Sequence, residues 1–244
     1  MLDTIGDWKV SVIDTGRFWL DGGAMMGSVP KVLWEKTNMP DDQNRIELAL
    51  RCLLLDNGEK VVLIETGLGN KINSKFKNMF NVCQADDSLN RSLLNCGYKP
   101  EDISDVILTH LHFDHSGGAT KFDSNGVIVP SFPNAIYHIS ERNWDIGLNP
   151  NSRDKASYLD ENYLCIQKTG QLSLIGQDSQ IIDSISAISV DGHTFGQQLV
   201  KVDGGSDILV FCSDLIPLRS HLKLPWIMGY DLNAYLTLKE KTKF

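Results

Sequence analysis

The sequence predicts an α/β protein in which two β-sheets pack together and carry helices on their outer faces. Three observations support this class. Apolar runs of strand length occur in both halves of the chain, helix-like segments follow or interrupt them, and no apolar run is long enough to cross a bilayer. Because the 244 residues contain no repeat of fixed period and no linker, we expect a single domain over residues 1–244.

The pattern of the first half predicts strands followed by two helices. Residues 8–14 and 18–20 have an extended pattern and precede an apolar loop with the sequence AMMGSVPKVLW. Asn57-Gly58 joins two β-rich runs, residues 46–56 and 60–65, and this dipeptide tolerates the positive φ of a tight hairpin. Helical spacing of apolar residues predicts helices over residues 70–80 and 88–96, with Ser88 as N-cap and Gly97 as C-cap.

The second half returns to strands after a mixed central region. DVILT, residues 105–109, is too short for a helix and is expected to form a buried strand. Residues 135–139 are predicted as the next strand, followed by helices near residues 141–146 and 155–167. Further strands are expected over residues 172–175, 181–190, 198–202 and 208–211, separated by Gly and Asp turns.

The composition excludes several functional classes. The net charge is −8, so the chain lacks the clustered basic residues from which nucleic-acid binding draws its affinity. The N-terminal residues lack the basic and apolar regions of a signal peptide, and five cysteines without CxxC spacing are typical of a reducing compartment. We therefore expect a cytoplasmic protein that binds neither nucleic acid nor a membrane.

A cluster of metal-binding residue types follows the predicted strand DVILT. The stretch THLHFDHSGG, residues 109–118, contains three of the six histidines together with an aspartate. Side chains alternate along a strand, so His110 and His112 would project to the same side and share one ion. Asp114 and His115 come after the strand has ended and can be directed at a second ion close to the first.

Two later strand ends supply further ligands. His193 in DGHT would complete a set of three histidines, and Asp214 in CSD has two carboxylate oxygens with which to bridge two ions. A lone histidine is more often structural than a ligand, but this combination predicts a metal centre. Histidine and carboxylate ligands suit zinc, iron, manganese or cobalt, so the residues alone do not select the metal.

The sequence resembles the metallo-β-lactamase superfamily and, within it, the lactonase and organophosphate-hydrolase branch. The resemblance rests on HLHFDH and GHT, and on LDGGAMMGSVPKVLW, LIETGLG, FPNAIYHISERNW and SDLIPLRSHLKLPWIMGYD. It implies a four-layer αββα sandwich with two zinc ions, iron or manganese being the alternatives. One ion would lie on His110, His112 and His193, the other on Asp114 and His115, with Asp214 between them.

The resemblance implies a metal-dependent hydrolase that uses a metal-activated hydroxide on a small ester, lactone or related acyl substrate. Asp114 is the candidate to pass a proton to the leaving group, and a role as ligand only is the alternative. Organophosphate hydrolases, glutathione thioesterases and sulfur dioxygenases share the fold and stay open as functions. A further alternative of a different class is a metal-binding protein that has lost its activity.

Further residues are expected around the metals. Met26 and Trp34 on the apolar loop, with His221 and Trp226 after the bridging aspartate, are the candidate substrate contacts. Core packing is the alternative role for the residues of the apolar loop. Pro217 stands where acyl-homoserine lactonases carry a tyrosine that orients the substrate. Glu65, Thr194 and Gln198 are expected to hold the ligating imidazoles in position. Relatives usually carry an aspartate at the position of Glu65.

The last ligand of the second ion is missing from the sequence. Relatives carry one more histidine well after the bridging aspartate, whereas only thirty residues follow Asp214 and the last histidine is His221. A truncated C-terminus is the favoured explanation; His221 as a substitute ligand, and a second ion that is held by water or absent, are the others. We therefore expect the second ion to bind more weakly. The apolar loop could also form a homodimer contact.

Overall fold

The computed structural model describes residues 4–244, and residues 1–3 lie outside the described part. The strands are β1 Thr4–Ile5, β2 Trp8–Asp21, β3 Arg45–Asp56, β4 Val61–Ile64, β5 Asp105–Leu108, β6 Thr120–Phe122, β7 Ile128–Pro130, β8 Ile136–Ser140, β9 Leu172–Ile175, β10 Gln180–Ile182, β11 Ile185–Val190, β12 Gln197–Asp203 and β13 Ile208–Phe211. The helices are α1 Gly22–Met26, α2 Lys31–Trp34, α3 Ser74–Met79, α4 Ser88–Asn95, α5 Phe113–Ser116, α6 Glu141–Leu148, α7 Leu164–Lys168 and α8 Ala234–Lys241.

Two sheets carry the architecture. The large sheet has the strand order β1-β2-β3-β4-β5-β8-β9, and the small sheet has the order β10-β11-β12-β13. Pairing in the large sheet is antiparallel from β1 to β4 and parallel from β4 to β9. The hairpin predicted around Asn57-Gly58 is confirmed: β3 pairs with β4, and Gly58 has a φ of +86°.

The buried residues form layers that hold the sheets and helices together. One apolar layer lies between the two sheets, where Ile64 and Ile107 of the large sheet join the cluster that contains Val200 of the small sheet. A second layer covers the large sheet with helical residues, among them Leu93 and Trp144. On the small-sheet side, α8 packs against the loop that follows β11. The observed αββα sandwich confirms the predicted fold class.

One predicted helix is broken. Residues 155–167 form two 3₁₀ turns followed by the short helix α7. The rings of Tyr158 and Tyr163 are buried in the core, and their hydroxyls bond to Thr194 Oγ1 and to the carbonyl of Gly147. These tertiary contacts outweigh the helical propensity of the segment.

Local details elsewhere also differ from the prediction. Ser88 is the first residue of α4 and does not cap it, because its hydroxyl donates to the carbonyl of Thr15. The strand expected over residues 181–190 is a hairpin that turns at Ser184, which has a φ of +61°. The apolar loop after β2 contains α1, whose N-cap is the side chain of Asp21.

No helix of residues 4–244 is both long and apolar enough to cross a membrane. The single-domain organisation and the truncated C-terminus stay predictions.

Candidate metal centre

Three ligand-bearing loops meet at one edge of the sandwich. His110 to His115 follow β5 and continue into α5, His193 follows β11, and Asp214 lies in a 3₁₀ turn after β13. The two sheets are joined at this edge, since the backbone N–H of Gln198 donates to the carbonyl of Thr109 at 2.9 Å. The strand ends therefore bring together residues that are up to 104 positions apart in the sequence.

Three imidazoles converge on a first point. His110 Nε2 lies 3.0 Å from His112 Nδ1, and His112 Nδ1 lies 3.2 Å from His193 Nε2. All three side chains are buried. A tetrahedral zinc ion with Zn–N bonds of about 2.0–2.1 Å holds neighbouring ligand nitrogens about 3.3–3.4 Å apart. The spacing of the three nitrogens thus fits one such ion.

A second group of ligand atoms lies beside the first. His115 Nε2 is 3.4 Å from Asp114 Oδ2 and 3.4 Å from Asp214 Oδ1. The other oxygen of Asp214 is 3.3 Å from His193 Nε2 and 3.9 Å from His110 Nε2. Asp214 therefore stands between the two groups. His115 Nε2 is buried and has no hydrogen-bond partner among the described residues, as expected of an atom that ligates a cation.

The outward nitrogens of three imidazoles have partners that orient the rings. Asp231 Oδ1 lies 2.9 Å from His193 Nδ1, and Glu65 Oε2 lies 3.2 Å from His115 Nδ1. Thr109 Oγ1 lies 3.0 Å from His110 Nδ1. When the Nδ1–H groups of His193 and His110 donate to their oxygens, the lone pair of each Nε2 faces the ligand cluster, which is the tautomer that binds a metal. Glu65 Oε2 lies within ion-pair distance of His115 but forms no hydrogen bond among the described residues.

Glu65 contacts the segment that carries the histidine cluster at two points. Its Oε1 accepts from the backbone N–H of Thr109 at 3.0 Å, while Oε2 faces His115, so the side chain spans the distance without a bridging group. Its φ of +69° is strained for a residue with a side chain. The hydrogen bond from the N–H of Thr66 to the carbonyl of His115 holds the backbone there.

Thr194 and Gln198 support the ligand loops rather than the imidazoles. Thr194 Oγ1 is 2.7 Å from the hydroxyl of Tyr158, whose ring packs edge-on against His112. Gln198 Nε2 donates to the carbonyl of Leu108 at 2.9 Å, directly before the histidine cluster. Both residues therefore fix backbone and packing next to the centre.

Sequence reasoning missed two residues that position the ligands. Asp231 is held in place because the N–H groups of the next two residues donate to the carbonyls of His193 and Gly192. Asn143 accepts from the N–H of Leu111 and donates to the carbonyl of Phe195, both at 2.9 Å, so it ties two ligand loops together. Both residues lie in stretches that carry the family resemblance, FPNAIYHISERNW and SDLIPLRSHLKLPWIMGYD, but nothing in those stretches marked them as partners of the ligand loops.

Burial and neighbouring charges shift the pKa values in the centre. Burial and the adjacent histidines lower the pKa of His110 and of His112 well below the usual range, which favours the neutral imidazole that binds metals. Burial opposes ionisation of Asp214, but the charge of His115 outweighs it and holds the pKa of that carboxyl far below its ordinary value. Burial also opposes protonation of His115 and His193, but the carboxylates of Asp114 and Asp214 raise the pKa of His115, and those of Asp231 and Asp214 raise the pKa of His193. A cation that binds at these two imidazoles would therefore displace a proton from each.

A cavity of about 450 Å³ opens over the centre. This volume lies within the range of pockets for small organic ligands. The ligand residues on its wall are His112, Asp114, His193 and Asp214, and other polar groups come from Arg153, Asp154, Ser157 and Tyr230. The apolar part of the wall consists of Leu20, Met25, Leu48, Phe76, Met79, Phe80, Phe113, Pro217 and Met228, with Ala156 and Gly229 completing the lining.

The four predicted substrate contacts lie outside this lining. Met26, Trp34 and Trp226 are buried in the apolar cluster behind the wall, and Met25 takes the place expected for Met26. His221 is 1% exposed, and its Nε2 lies 2.9 Å from the carbonyl of Met25. This contact ties His221 to α1, so the structure does not support it as a substitute metal ligand. These placements correct the prediction, because packing decides which side of the loop faces the cavity.

Comparisons with known proteins agree with this geometry. The model of the metallo-beta-lactamase superfamily matches residues 48–243. An N-acyl homoserine lactonase of Bacillus cereus is 26% identical over an alignment of 169 residues that covers 66% of this chain and 60% of that protein. The chain thus spans about 60% of the length of that relative.

Two solved structures have the same fold. A Staphylococcus aureus protein described as a "probable metal-dependent hydrolase" superposes with a TM-score of 0.91 at 30% identity, covering 99% of this chain and 85% of that one. AidC, a dizinc quorum-quenching lactonase, superposes with a TM-score of 0.77 at 22% identity, covering 99% and 83%. The match of the family model, together with the fold and the ligand geometry, shows that the chain belongs to the metallo-beta-lactamase superfamily.

Proposed function

We propose that this protein is a metal-dependent hydrolase that opens lactones, or cleaves related small esters, that carry an apolar acyl chain. One observation carries the proposal: two groups of histidine and carboxylate ligands form the base of a cavity whose remaining wall is largely apolar. A polar reacting group would lie at the ligands, and an apolar substituent would pack on the wall.

The residues present fit a dinuclear zinc centre. His110, His112 and His193 would hold one ion, Asp114 and His115 would hold the other, and Asp214 would contact both. Bound divalent ions polarise a carbonyl oxygen and lower the pKa of water toward neutrality. With His110 assigned to the first ion, the second position would have one imidazole, His115, and two carboxylates, Asp114 and Asp214. We expect its ion to dissociate more readily than the first, with iron or manganese as alternatives to zinc.

Asp114 is the residue proposed to move the proton. Its carboxylate is part of the cavity wall and is partly exposed there, at 18% of the side chain, so it can touch a bound substrate. It would accept a proton from the attacking water and return it to the leaving oxygen.

Aromatic side chains form the site for the apolar substituent. Phe76 lies 4.6 Å from Phe80 and 4.9 Å from Phe113, centroid to centroid, and the three rings belong to one apolar cluster. Phe113 stands between the ligands His112 and Asp114, so this surface begins directly at the metal centre. An acyl chain bound there would exclude water from the reacting carbonyl.

The relatives support a lactone as the substrate. The similar Bacillus cereus protein is an N-acyl homoserine lactonase, and the structure of AidC holds its product N-hexanoyl-L-homoserine. Hydrolysis of organophosphates or of glutathione thioesters, and oxidation of persulfides, stay alternative functions. A metal-binding protein without activity is a further alternative. A homodimer also stays a prediction.

Metal analysis and a substrate panel on one zinc-loaded sample test the proposal. The panel contains N-hexanoyl-homoserine lactone, p-nitrophenyl hexanoate, paraoxon and a glutathione thioester. We expect turnover to be highest with the lactone, and we expect His193→Ala to abolish both turnover and the tightly bound ion. Turnover of none of the four by protein with a full zinc complement would refute the hydrolase assignment.

A further inference from the structure

One carboxylate in the cavity has no part in the centre described above. Asp154 lies in the segment before the first 3₁₀ turn of residues 155–162, and 92% of its surface is buried. Neither of its carboxylate oxygens has a hydrogen-bond partner among the described residues. A buried carboxylate without a partner destabilises the folded protein, so its retention calls for a reason.

The position of Asp154 points to a ligand that supplies the partner. It is part of the same cavity wall as the ligands His112 and His193. Its backbone is firmly held, since its carbonyl accepts from the N–H of Ser157 at 2.8 Å. The neighbouring Arg153 is engaged elsewhere, because its guanidinium donates to the carbonyl of Gly229. Asp154 is therefore an acceptor with a fixed backbone on the cavity wall that also carries His112 and His193.

The polar and apolar parts of the wall come from different parts of the chain. Arg153, Asp154 and Ser157 belong to one short polar segment, whereas Phe76 and Phe113 belong to the apolar cluster. A substrate that fills both parts needs an apolar chain and, near its reacting carbonyl, a hydrogen-bond donor.

We propose that Asp154 determines substrate specificity by accepting a hydrogen bond from an N–H group next to the scissile ester, as an acylamino substituent provides. The proposal rests on the proposed function and narrows it from lactones in general to lactones that carry an acylamino group. A site built around a buried acceptor rejects an analogue without the donor, because the acceptor is then left unpaired.

Two lactones that differ only in the donor test this proposal. N-hexanoyl-homoserine lactone has the N–H, and α-(2-oxoheptyl)-γ-butyrolactone has a CH₂ in its place. We expect the wild-type zinc enzyme to prefer the first by at least about tenfold in kcat/KM. Asp154→Leu should abolish this preference by raising KM for the N–H lactone alone. Asp154→Asn should keep part of it, because the carboxamide oxygen still accepts a hydrogen bond.

The controls separate recognition from general damage. Asp160→Asn removes an exposed carboxylate of the same segment outside the cavity wall and should leave the preference unchanged. Zinc content is measured for every variant. If Asp154→Leu does not fold, Asp154→Asn decides, and it must lower the preference by at least about threefold. An unchanged preference, an equal loss on both lactones, or no preference in the wild type would overturn the proposal.

A failure of the proposed function can be distinguished from a failure of this inference. If the wild type hydrolyses neither lactone, the lactonase proposal fails. The affinities of the two corresponding hydroxy acids, measured by calorimetry on the zinc-loaded protein, then decide the role of Asp154. The role of Asp154 is supported if the wild type binds the N–H acid about tenfold more tightly than the CH₂ acid and Asp154→Leu binds the two equally. It is overturned if the wild type binds the two acids equally.

Discussion

The hydrogen bond between Asp231 and His193 leads to the sharpest prediction about metal affinity. The two atoms are 2.9 Å apart, and the side chains are 1% and 4% exposed, so little water can replace the carboxylate. A hydrogen bond to a charged group contributes about 1.5–3 kcal/mol. Losing a partner of this kind costs about 10- to 100-fold in metal affinity, which is about 1.4–2.7 kcal/mol. The free energy of the hydrogen bond and the expected loss of metal affinity therefore agree in magnitude.

We therefore expect Asp231→Ala to raise the dissociation constant of the tighter zinc ion by about 10- to 100-fold. Asp231→Asn should have a smaller effect, because its amide oxygen still accepts from His193 Nδ1–H. Competition with a chromophoric zinc chelator at neutral pH measures both constants.

The matched control is Asp207→Asn, which removes an exposed carboxylate in the turn between β12 and β13, at the opposite end of β13 from Asp214. It should leave the dissociation constant unchanged. A change of less than about threefold in Asp231→Ala would show that His193 needs no carboxylate to bind zinc, and the account of the ligand orientation would fail.

Three further predictions concern stability and substrate binding. Asn143→Ala should destabilise the fold by about 2–4 kcal/mol in urea unfolding, because it leaves a buried N–H and a carbonyl of the ligand loops without partners. The second prediction concerns the carboxyl of Asp105. Burial raises its pKa, but hydrogen bonds from His138 and Lys60 outweigh burial and lower the pKa to about 2, below its unfolded value near 3.9. Its contribution of about 2 kcal/mol is therefore present above about pH 4 and lost as the pH falls toward 2, and urea titrations across this range should show a smaller loss in Asp105→Asn. Phe76→Ala should raise KM for a lactone with a decanoyl chain by about tenfold and leave that for an acetyl chain unchanged, in steady-state kinetics.

Each of these predictions has an outcome that contradicts it. Asn125→Ala, at an exposed turn, is the control for the asparagine variant, and equal stabilities of the two would remove the proposed link between the ligand loops. A wild-type stability that does not fall between pH 4 and 2 would mean that Asp105 is not held ionised. Equal effects of Phe76→Ala on long and short chains would place the acyl group elsewhere.

The parts of the molecule that follow from short-range rules could be predicted. The hairpin at Asn57-Gly58 depends on the backbone freedom of two residues, and the strand of residues 105–108 depends on three consecutive apolar residues, 106–108. The helix expected over residues 155–167 failed because Tyr158 and Tyr163 are drawn into the core by contacts that no local pattern encodes. A helix or strand predicted from local propensity is therefore found where the tertiary contacts favour the same conformation.

The metal ligands were unusually accessible to sequence reasoning. His110, His112, Asp114 and His115 are neighbours in the chain, and His193 and Asp214 each follow a strand that ends at the same edge. The positioning residues behind them were not accessible, because Asp231 lies 38 residues from His193 and its role depends on one side-chain contact. Glu65 was an exception, since its place after the hairpin resembles that of an aspartate in relatives.

By itself, the sequence determined the fold class and which side chains can bind metal, because both depend on residue types and short spacings. Only the tertiary structure decided which residues face the cavity. Met25 and Met26 are chemically identical neighbours, yet one lines the wall and the other packs behind it, because the orientation of α1 is set by its contacts. For the same reason Asp154, an ordinary acidic residue in the sequence, becomes a buried acceptor beside the metal ligands.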